Sequence, residues 1–318
     1  MEGHAVAFAC TQGAFLAGNG ETDAKLLKDV GMASYDALMK ARERVKVGAK
    51  LLDVADFAER ALKDAGFGCA FPVNLSVNNE AAHYTPTVGD EKVFGPKDVV
   101  KLDFGAEKEG VLGDCATTID LSGQHGGLVE AAEEALKNAI AMVRAGVEVG
   151  KIGAEIERTV VARGFRPITN LGGHGVEVHG LHSGVFIPNF ANGDDEMLEE
   201  GTVVAIEPFV TDGRRDIVAE SDICEIYSLA GEAAVRSPDA RAVLGKIMES
   251  HPSEPFAVRW MDGTTKSRFS LYAAIAELFR AGALESHPML YGLGGGTIAQ
   301  AEAEVLVAKE GCEVLTRK

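Results

Sequence analysis

Apolar residues recur at helical spacing in two pairs of segments along the chain. The first pair covers residues 25–46 and 53–64, and the second covers residues 128–144 and 152–163. In the first segment the apolar positions fall on one side of the helix that this spacing predicts. Gly66 follows the second segment closely, and a glycine at such a place is typical of a helix end. The pattern therefore predicts four helices, arranged as two consecutive pairs.

Shorter segments rich in β-branched and other apolar residues lie between and after these helices. They cover residues 73–77, 99–105, 111–121, 203–209, 223–227 and 305–307. Segments of this length and composition are typical of β-strands. We therefore expect an α+β protein whose last strand, residues 305–307, closes the chain.

The two helix pairs carry similar residues at similar places. Residues 45–48 read Val-Lys-Val-Gly, and residues 147–150 read Val-Glu-Val-Gly. The residue pairs at 59–60 and 66–67, Glu-Arg and Gly-Phe, recur 98 positions further along the chain. Three matches in the same order predict an internal α/β repeat. We expect two similar halves around antiparallel sheet in one pseudo-symmetric domain, with the active site between them.

The pattern changes near Ser237. Ser237 and Pro238 are typical of a helix start, because serine caps the first turn and proline fits its first position. A second helix is predicted for residues 267–280, so residues 231–289 are expected to form a helical insert. We expect residues 1–20 to be an N-terminal extension and residues 21–318 to form the main domain. Residues 5–17 are apolar, but Glu2 and His4 precede them instead of the basic residues of an export signal.

The net charge of the chain disfavours some classes of binding partner. The chain holds 31 Lys and Arg against 48 Asp and Glu, a net charge of −17 at pH 7. This excess disfavours binding to nucleic acid or to an anionic membrane, and no apolar run is long enough to span a bilayer. The five cysteines are scattered and form no Cys-x-x-Cys pair, which indicates reduced thiols in the cytoplasm. The excess carboxylates either solvate the surface or, in part, hold metal.

Two aspartates on neighbouring predicted strands favour the metal hypothesis. If the intervening residues form a hairpin with Lys108 and Glu109 as its two-residue loop, Asp103 and Asp114 lie directly opposite each other. Their Cβ atoms would then be about 5 Å apart on one face. Such a pair needs a shared proton or a cation between the carboxylates. A longer loop with a different register, leaving both aspartates solvated, is the alternative.

Three further residues have contexts suited to a metal site. His174 lies between glycines in the sequence Leu-Gly-Gly-His-Gly, where little can crowd its ring. Glu207 follows the apolar residues 203–206, and buried glutamates are rare unless they are paired or bind metal. Glu302 lies just before the last apolar segment. Each of these residues alone is more often structural than a ligand.

Taken together, these motifs resemble those of the methionine aminopeptidases, proteases of the pita-bread fold. The resemblance runs from about residue 23 to residue 316 and is strongest to the type II branch, in residues 71–86 and 171–189 and in the long helical insert. It implies that five residues bind metal: Asp103, Asp114, His174, Glu207 and Glu302. It also implies two divalent ions, of cobalt, manganese, iron or zinc, that share a hydroxide formed from water.

The resemblance implies roles for further residues. Glu207 would act as general acid and base, and His83 and His182 would be catalytic histidines that also contact the substrate. Phe71 and Leu181 would line the pocket for the methionine side chain, beside a second substrate residue that must be small. The expected reaction is removal of the N-terminal methionine from nascent proteins and peptides. A cytoplasmic monomer that works near the ribosome, without binding nucleic acid or membrane, is implied as well.

The sequence departs from the family in two places. Residues 302–304 read Glu-Ala-Glu, where the family usually reads Glu-His-Thr, so Glu304 adds a carboxylate that shares the strand parity of Glu302. His287 stands where a tyrosine is common near the type II pocket. Two other hypotheses stay open. The first is a pita-bread peptidase of the X-prolyl or prolidase type, and the second is an inactive relative that binds protein or RNA.

Overall fold

The computed structural model describes residues 20–231 and 233–317, so the predicted N-terminal extension lies outside the described residues except for Gly20. The helices are α1 (Gly20–Arg42), α2 (Leu51–Asp64), α3 (Gly126–Met142), α4 (Val149–Ala162), α5 (Pro238–Ser250) and α6 (Arg268–Arg280), with a short 3₁₀ helix at Val258–Met261.

The strands of the first half are short. They are β1 (Gly68–Cys69), β2 (Asn74–Val77), β3 (Glu80–Ala82), β4 (Val99–Asp103), β5 (Ala106–Lys108), β6 (Val111–Leu112) and β7 (Ala116–Asp120). The second half begins with β8 (Arg166–Pro167), β9 (Gly172–Glu177), β10 (Gly180–Pro188), β11 (Val203–Ile206), β12 (Phe209–Thr211), β13 (Val218–Glu220) and β14 (Ile226–Leu229). It ends with β15 (Phe256–Ala257), β16 (Leu284–His287), β17 (Leu290–Gly292), β18 (Ile298–Gln300), β19 (Ala303–Ala308) and β20 (Gly311–Val314).

All six predicted helices are present, with ends that differ by a few residues. α1 stops at Arg42 instead of residue 46, and α2 starts two residues before the predicted position. The predicted strand over residues 203–209 is divided into β11 and β12, because the chain leaves the ladder at Glu207 and Pro208. The expectation that residues 305–307 close the chain is wrong, because β19 continues into the antiparallel strand β20.

The predicted repeat is confirmed by the two helix pairs. α1 and α2 cover a cluster of buried residues around the sheet β2–β4–β7, whereas α3 and α4 cover a separate cluster against the sheet β10–β9–β11–β19–β20. After α2, Gly66 has a φ of +85°, and Phe67 donates its backbone N–H to Leu62 O. Gly164 and Phe165 repeat this helix end after α4 with a φ of +84°.

The two halves meet through buried polar contacts between β7, β4 and β18. Thr118 on β7 donates its hydroxyl to Gln300 O at 2.7 Å and accepts the backbone N–H of Gln300 at 2.9 Å. The fully buried Lys101 ammonium on β4 donates to Asn78 O and to Ile298 O. These bonds fix β18 against the first sheet, and the chain after β18 therefore enters the region between the halves.

Residues 226–287 form a smaller unit with its own apolar cluster. β14 pairs with β15 and β16, and α5 and α6 pack on each other. Ser237 caps α5 as expected, because its Oγ accepts the backbone N–H of Ala240 at 3.0 Å. The unit is anchored by the buried Arg259, which pairs with Glu59 on α2, and by Trp260, which donates to Glu59 at 2.9 Å.

Across residues 20–231 and 233–317, none of the helices combines the length and the apolarity that a bilayer crossing requires.

Candidate metal centre and active site

The first two predicted ligands lie near the middle of a long hairpin. β4 pairs with β7 and β5 pairs with β6 in one continuous register, in which Asp103 pairs with Ala116. The prediction that Asp103 and Asp114 are directly opposite each other is therefore wrong. The loop is Glu109 and Gly110 instead of Lys108 and Glu109, because both loop residues adopt positive φ angles, of +54° and +81°, and glycine adopts such angles without strain.

The corrected register still leaves the two carboxylates on one side of the hairpin. Asp114 lies two positions before Ala116, the partner of Asp103, so the two aspartates are diagonal neighbours. The charge on Asp103 contributes to raising the pKa of Asp114, after the larger effect of burial. The inference that the two aspartates need a cation or a shared proton thus survives the change in register.

Three residues of the second half complete the cluster. His174 lies on β9, Glu207 follows β11 directly, and Glu302 lies between β18 and β19. His174 Nε2 is 3.5 Å from Asp114 Oδ2 and 3.7 Å from Glu207 Oε1. Possible ligand atoms of Asp114, His174 and Glu302 all lie within 4.8 Å of one another. The structure therefore brings all five predicted ligands to one place between the halves.

The charge state of these groups reflects their burial. Burial raises the pKa of Asp103 to about 7, and it raises the pKa of Asp114, Glu207 and Glu302 well above the ordinary value, with mutual repulsion adding to the effect. Burial next to the His182 ring lowers the pKa of His174 to about 3. His174 is therefore neutral at ordinary pH, which leaves a ring nitrogen free to bind a cation.

The donor atoms fit divalent cations. Three carboxylate oxygens, Asp103 Oδ1, Asp114 Oδ1 and Glu302 Oε2, are buried and have no hydrogen-bond partner among the described residues. Buried carboxylate oxygens are normally paired or coordinated. Four carboxylates would balance two divalent ions, and oxygen with imidazole nitrogen suits manganese, iron, cobalt or zinc better than a thiolate set would. The residues present are therefore suited to the two ions that the resemblance implies.

The cluster lies beside a cavity of about 370 Å³. Phe71 and Leu181, expected to contact a methionine side chain, both line it together with Ile226 and Phe209. His83, His182 and His287 line the same cavity. All five predicted ligands line it as well: Asp103, Asp114, His174, Glu207 and Glu302. An apolar pocket therefore lies next to the five predicted metal ligands.

Three further histidines, His83, His182 and His287, surround this cavity. His83 adopts a φ of +64°, its Nδ1 is 3.2 Å from Pro288 O, and its ring meets the edge of the His287 ring at 6.1 Å. Removal from water, with His287 and His182 nearby, lowers the pKa of His83 to about 4. His182 is exposed, and its ring centre is 4.3 Å from that of His174. His287 Nε2 is hydrogen-bonded to Ser228 Oγ at 2.7 Å, and burial lowers the His287 pKa.

Two polar residues that the sequence reasoning missed hold this site together. Gln300 Nε2 donates to Asp103 Oδ2 at 3.1 Å and to Glu207 Oε2 at 3.4 Å, so it joins carboxylates of both halves. Asn189, fully buried, donates to Leu171 O and Glu207 O. Gln300 precedes Glu302 by two positions, and side chains two positions apart on a strand point to the same face, so the sequence contained a signal for Gln300. Asn189 has no comparable signal in the sequence.

Glu304, a residue at which the sequence departs from the pattern that the resemblance implies, contacts the candidate metal site. Glu304 is buried, and its Oε2 accepts the backbone N–H of Asp114 at 2.9 Å. Its own N–H donates to Thr316 Oγ1 at 2.8 Å. Burial raises the pKa of Glu304 to about 8. The side chain therefore faces the cluster, as its shared parity with Glu302 suggested, and supports the backbone of Asp114.

Comparison with known proteins agrees with this geometry. The model of the metallopeptidase family M24 matches residues 25–243. The methionine aminopeptidase of Thermococcus onnurineus is 42% identical over 297 residues, which cover 90% of this chain and 100% of the relative.

Two solved structures share the fold. A thermophilic Arx1 superimposes with a TM-score of 0.78 at 15% identity, over 91% of this chain and 89% of the other. A methionine aminopeptidase from Thermotoga maritima superimposes with a TM-score of 0.64 at 24% identity, over 92% and 95%. Identities this low show the fold alone, which is the pita-bread fold expected from the sequence. The family match and the archaeal relative together show that the chain belongs to metallopeptidase family M24 and, within it, to the methionine aminopeptidases.

Proposed function

We propose that this chain removes the N-terminal methionine from proteins and peptides whose second residue is small. The observation that carries the proposal is the meeting of five metal-type side chains with an apolar cavity large enough for one unbranched side chain. A metal-dependent hydrolase needs the first feature, and selectivity for methionine needs the second. The closely similar archaeal relative named methionine aminopeptidase supports the same activity.

The proposed ligands of two divalent ions are Asp103, Asp114, His174, Glu207 and Glu302. Two observations support them: buried carboxylate oxygens that have no hydrogen-bond partner within residues 20–231 and 233–317, and the neutral imidazole of His174. When bound, the ions would polarise the scissile carbonyl and lower the pKa of a water molecule, so that a nucleophile is available near neutral pH. Gln300 orients two of the carboxylates by donating to both of them.

The proposed proton carrier is Glu207. Its side chain lies beside His174 and lines the cavity, so it is placed to take a proton from water and deliver it to the leaving amine. His83 is proposed to hydrogen-bond the scissile amide as a neutral imidazole, since its pKa is lowered to about 4. His182 is proposed to stabilise the developing oxygen charge, because its exposed ring projects beside His174.

The proposed methionine pocket is the apolar side of the cavity. Phe71 and Leu181 would contact the thioether side chain, and His287, fixed by Ser228, would close the polar side. A second substrate residue with a bulky side chain would meet the rim of a cavity that is about 370 Å³ in volume. We expect Gly, Ala and Ser at that position to be accepted.

A single assay distinguishes the proposed activity from the two alternative hypotheses. The preparation would be incubated with Met-Gly-Ser peptide and added Mn²⁺ or Co²⁺, beside an Xaa-Pro peptide, and a His83→Ala variant would serve as control. We expect methionine release that His83→Ala reduces, with little cleavage of the Xaa-Pro peptide. Preferred cleavage of the Xaa-Pro peptide would identify a prolidase-type enzyme instead. The absence of cleavage with every metal would favour the inactive protein-binding relative.

The cellular setting is proposed on the same basis. Nascent chains expose their N-terminal methionine at the ribosome, so we propose a cytoplasmic monomer that works close to it. We also propose that residues 21–318 form the catalytic domain, that residues 231–289 are the helical insert of the type II branch and that residues 1–20 are an extension. The separate apolar cluster around α5 and α6 supports the insert.

A further inference from the structure

Asn74 is a buried polar residue that the proposed reaction does not yet use. It lies on β2, it is 4% exposed, and it lines the cavity beside the metal-type cluster. Its Nδ2 donates to Pro72 O at 3.0 Å, whereas its Oδ1 is buried and has no hydrogen-bond partner in the described part of the chain. A buried amide oxygen without a donor is uncommon and calls for a ligand or another partner.

The orientation of this amide is determined by its surroundings. Exchanging Oδ1 and Nδ2 would place the amide oxygen against Pro72 O, so that two acceptors would face each other. The nitrogen therefore belongs at Pro72, and the oxygen is left on the other side of the amide. Asn74 thus presents an acceptor with no donor of its own.

The residue opposite Asn74 has the same deficit. Asn74 pairs with Asp103 across β2 and β4, which places the two side chains on one face with Cβ atoms about 5 Å apart. Asp103 Oδ1 is also buried without a partner among residues 20–231 and 233–317. Asp103 Oδ1 is also one of the oxygens proposed to hold metal, but a carboxylate oxygen keeps a lone pair when it binds a cation. A neutral acceptor and a charged acceptor therefore stand side by side at the wall of the cavity.

A group with more than one N–H satisfies such a pair. The α-amino group of a peptide has two or three N–H bonds, depending on its protonation. Phe71, three residues before Asn74, lines the apolar part of the same cavity, so a methionine whose side chain contacts Phe71 would bring its α-amino group within reach of Asn74. A peptide bond within a chain has one N–H and no charge, and it matches this pair less well.

We infer that Asn74 is a specificity residue for the free amino terminus, whose N–H it accepts through Oδ1. This inference rests on the proposed function. The contact would distinguish a free α-amino group from a peptide bond. It is separate from the contacts of the pocket that select the methionine side chain.

A thermodynamic cycle tests the inference on the Mn²⁺-loaded protein. The dissociation constants of methionine and of 4-(methylthio)butanoate, which lacks only the α-amino group, would be measured by calorimetry for the wild-type protein and for Asn74→Ala. We expect the preference for methionine to fall about tenfold in Asn74→Ala, the effect of losing one hydrogen bond to a charged group. An unchanged preference would overturn the inference.

Ser76→Ala is the matched control. Ser76 lies two positions further along β2, is also buried and is not part of the cavity wall. Its side-chain oxygen, like that of Asn74, has no hydrogen-bond partner among the residues that the structure describes. We expect the Ser76→Ala variant to prefer methionine over 4-(methylthio)butanoate as strongly as the wild-type protein does. An equal loss of preference in Ser76→Ala would mean that general loosening of β2 causes the effect, and would also overturn the inference. Asn74→Ser replaces Asn74→Ala if the latter does not fold.

Two further readouts separate the remaining outcomes. The Mn²⁺ content of Asn74→Ala is expected to match that of the wild-type protein, whereas loss of an ion would identify Asn74 as a metal ligand and contradict the inference. Wild-type protein that releases no methionine from Met-Gly-Ser would remove the proposed function. Wild-type protein that is active but shows the same amine preference as Asn74→Ala would remove the role of Asn74 alone.

Discussion

The carboxyl group of Glu304 accepts the backbone N–H of Asp114, with 2.9 Å between Oε2 and the nitrogen. Both residues are buried, so the bond occupies a donor that water cannot reach. Glu304 is one of the positions at which this sequence departs from the pattern that the family resemblance implies. The departure therefore supplies a backbone acceptor directly beside a proposed metal ligand.

Replacing Glu304 tests this support. Glu304→Leu leaves the Asp114 N–H buried without an acceptor, and we expect it to lower the free energy of unfolding by about 1–3 kcal/mol. Glu304→Gln retains an acceptor oxygen of the same length and is expected to remain near the wild-type value. Urea denaturation of the metal-free protein measures both. Equal stability of the two variants would show that the bond contributes nothing measurable.

Replacing Gln300 should weaken metal binding. Gln300→Met has a similar volume but no N–H, so Asp103 and Glu207 lose the donor that orients both of them. Residues that orient metal ligands typically change metal affinity by about 10- to 100-fold, and we expect a loss in this range for Mn²⁺. Titration calorimetry provides the measurement, and Gln124→Met at an exposed position provides the control. Unchanged affinity in Gln300→Met would argue against the orienting role.

Acidification should destabilise the metal-free protein partly through His83. The folded-state pKa of His83 is lowered to about 4 from an ordinary 6.5, so the unfolded chain takes up its proton first as the pH falls. The stability that His83 contributes is complete above pH 6.5 and is lost progressively between pH 6.5 and pH 4. The loss by pH 4 corresponds to about 3 kcal/mol, because each pKa unit of the shift represents about 1.4 kcal/mol.

The measurement is a comparison of two acid profiles. Unfolding free energies of metal-free wild-type protein and His83→Asn would be recorded from pH 8 to pH 4. We expect the difference between the two proteins to be constant above pH 6.5 and to shift in favour of His83→Asn below it. Parallel curves over the whole range would show that His83 keeps an ordinary pKa in the folded protein.

The ion pair between Arg259 and Glu59 should hold the helical unit to the first half. Both side chains are largely buried, with 5% and 16% of their surfaces exposed, and Arg259 also donates to Thr85 Oγ1 and to Pro86 O. Arg259→Met leaves the Glu59 carboxylate without its cation, and we expect a loss of about 3–5 kcal/mol in thermal unfolding. Adding Glu59→Gln to Arg259→Met should recover part of this loss. A double variant no more stable than Arg259→Met would contradict the pairing.

The sequence predicted most of the elements, because helical spacing, capping residues and repeated motifs are local signals. Ser237 and Pro238 mark the start of α5, and Gly66 and Gly164 mark equivalent helix ends. The five candidate ligands came from residue type and context together with the family resemblance, and the structure brings them to one place.

The sequence could not predict the register of the hairpin that carries Asp103 and Asp114. Two neighbouring two-residue loops were compatible with the composition, and the choice depended on which residues adopt positive φ, which the pattern of apolar positions does not reveal. Gln300 and Asn189 were missed for a different reason. Their importance comes from partners more than ninety and eighteen positions away, respectively, and such contacts exist only in the folded chain.

The division of the ligand set between the two halves has a mechanical consequence. Asp103 and Asp114 belong to the first half, whereas His174, Glu207 and Glu302 belong to the second. Bound ions would therefore link the two halves, and neither half alone holds the full set of proposed ligands. Moving the halves apart would take ligands away from bound ions, so we expect metal binding to stabilise the closed arrangement of the two halves.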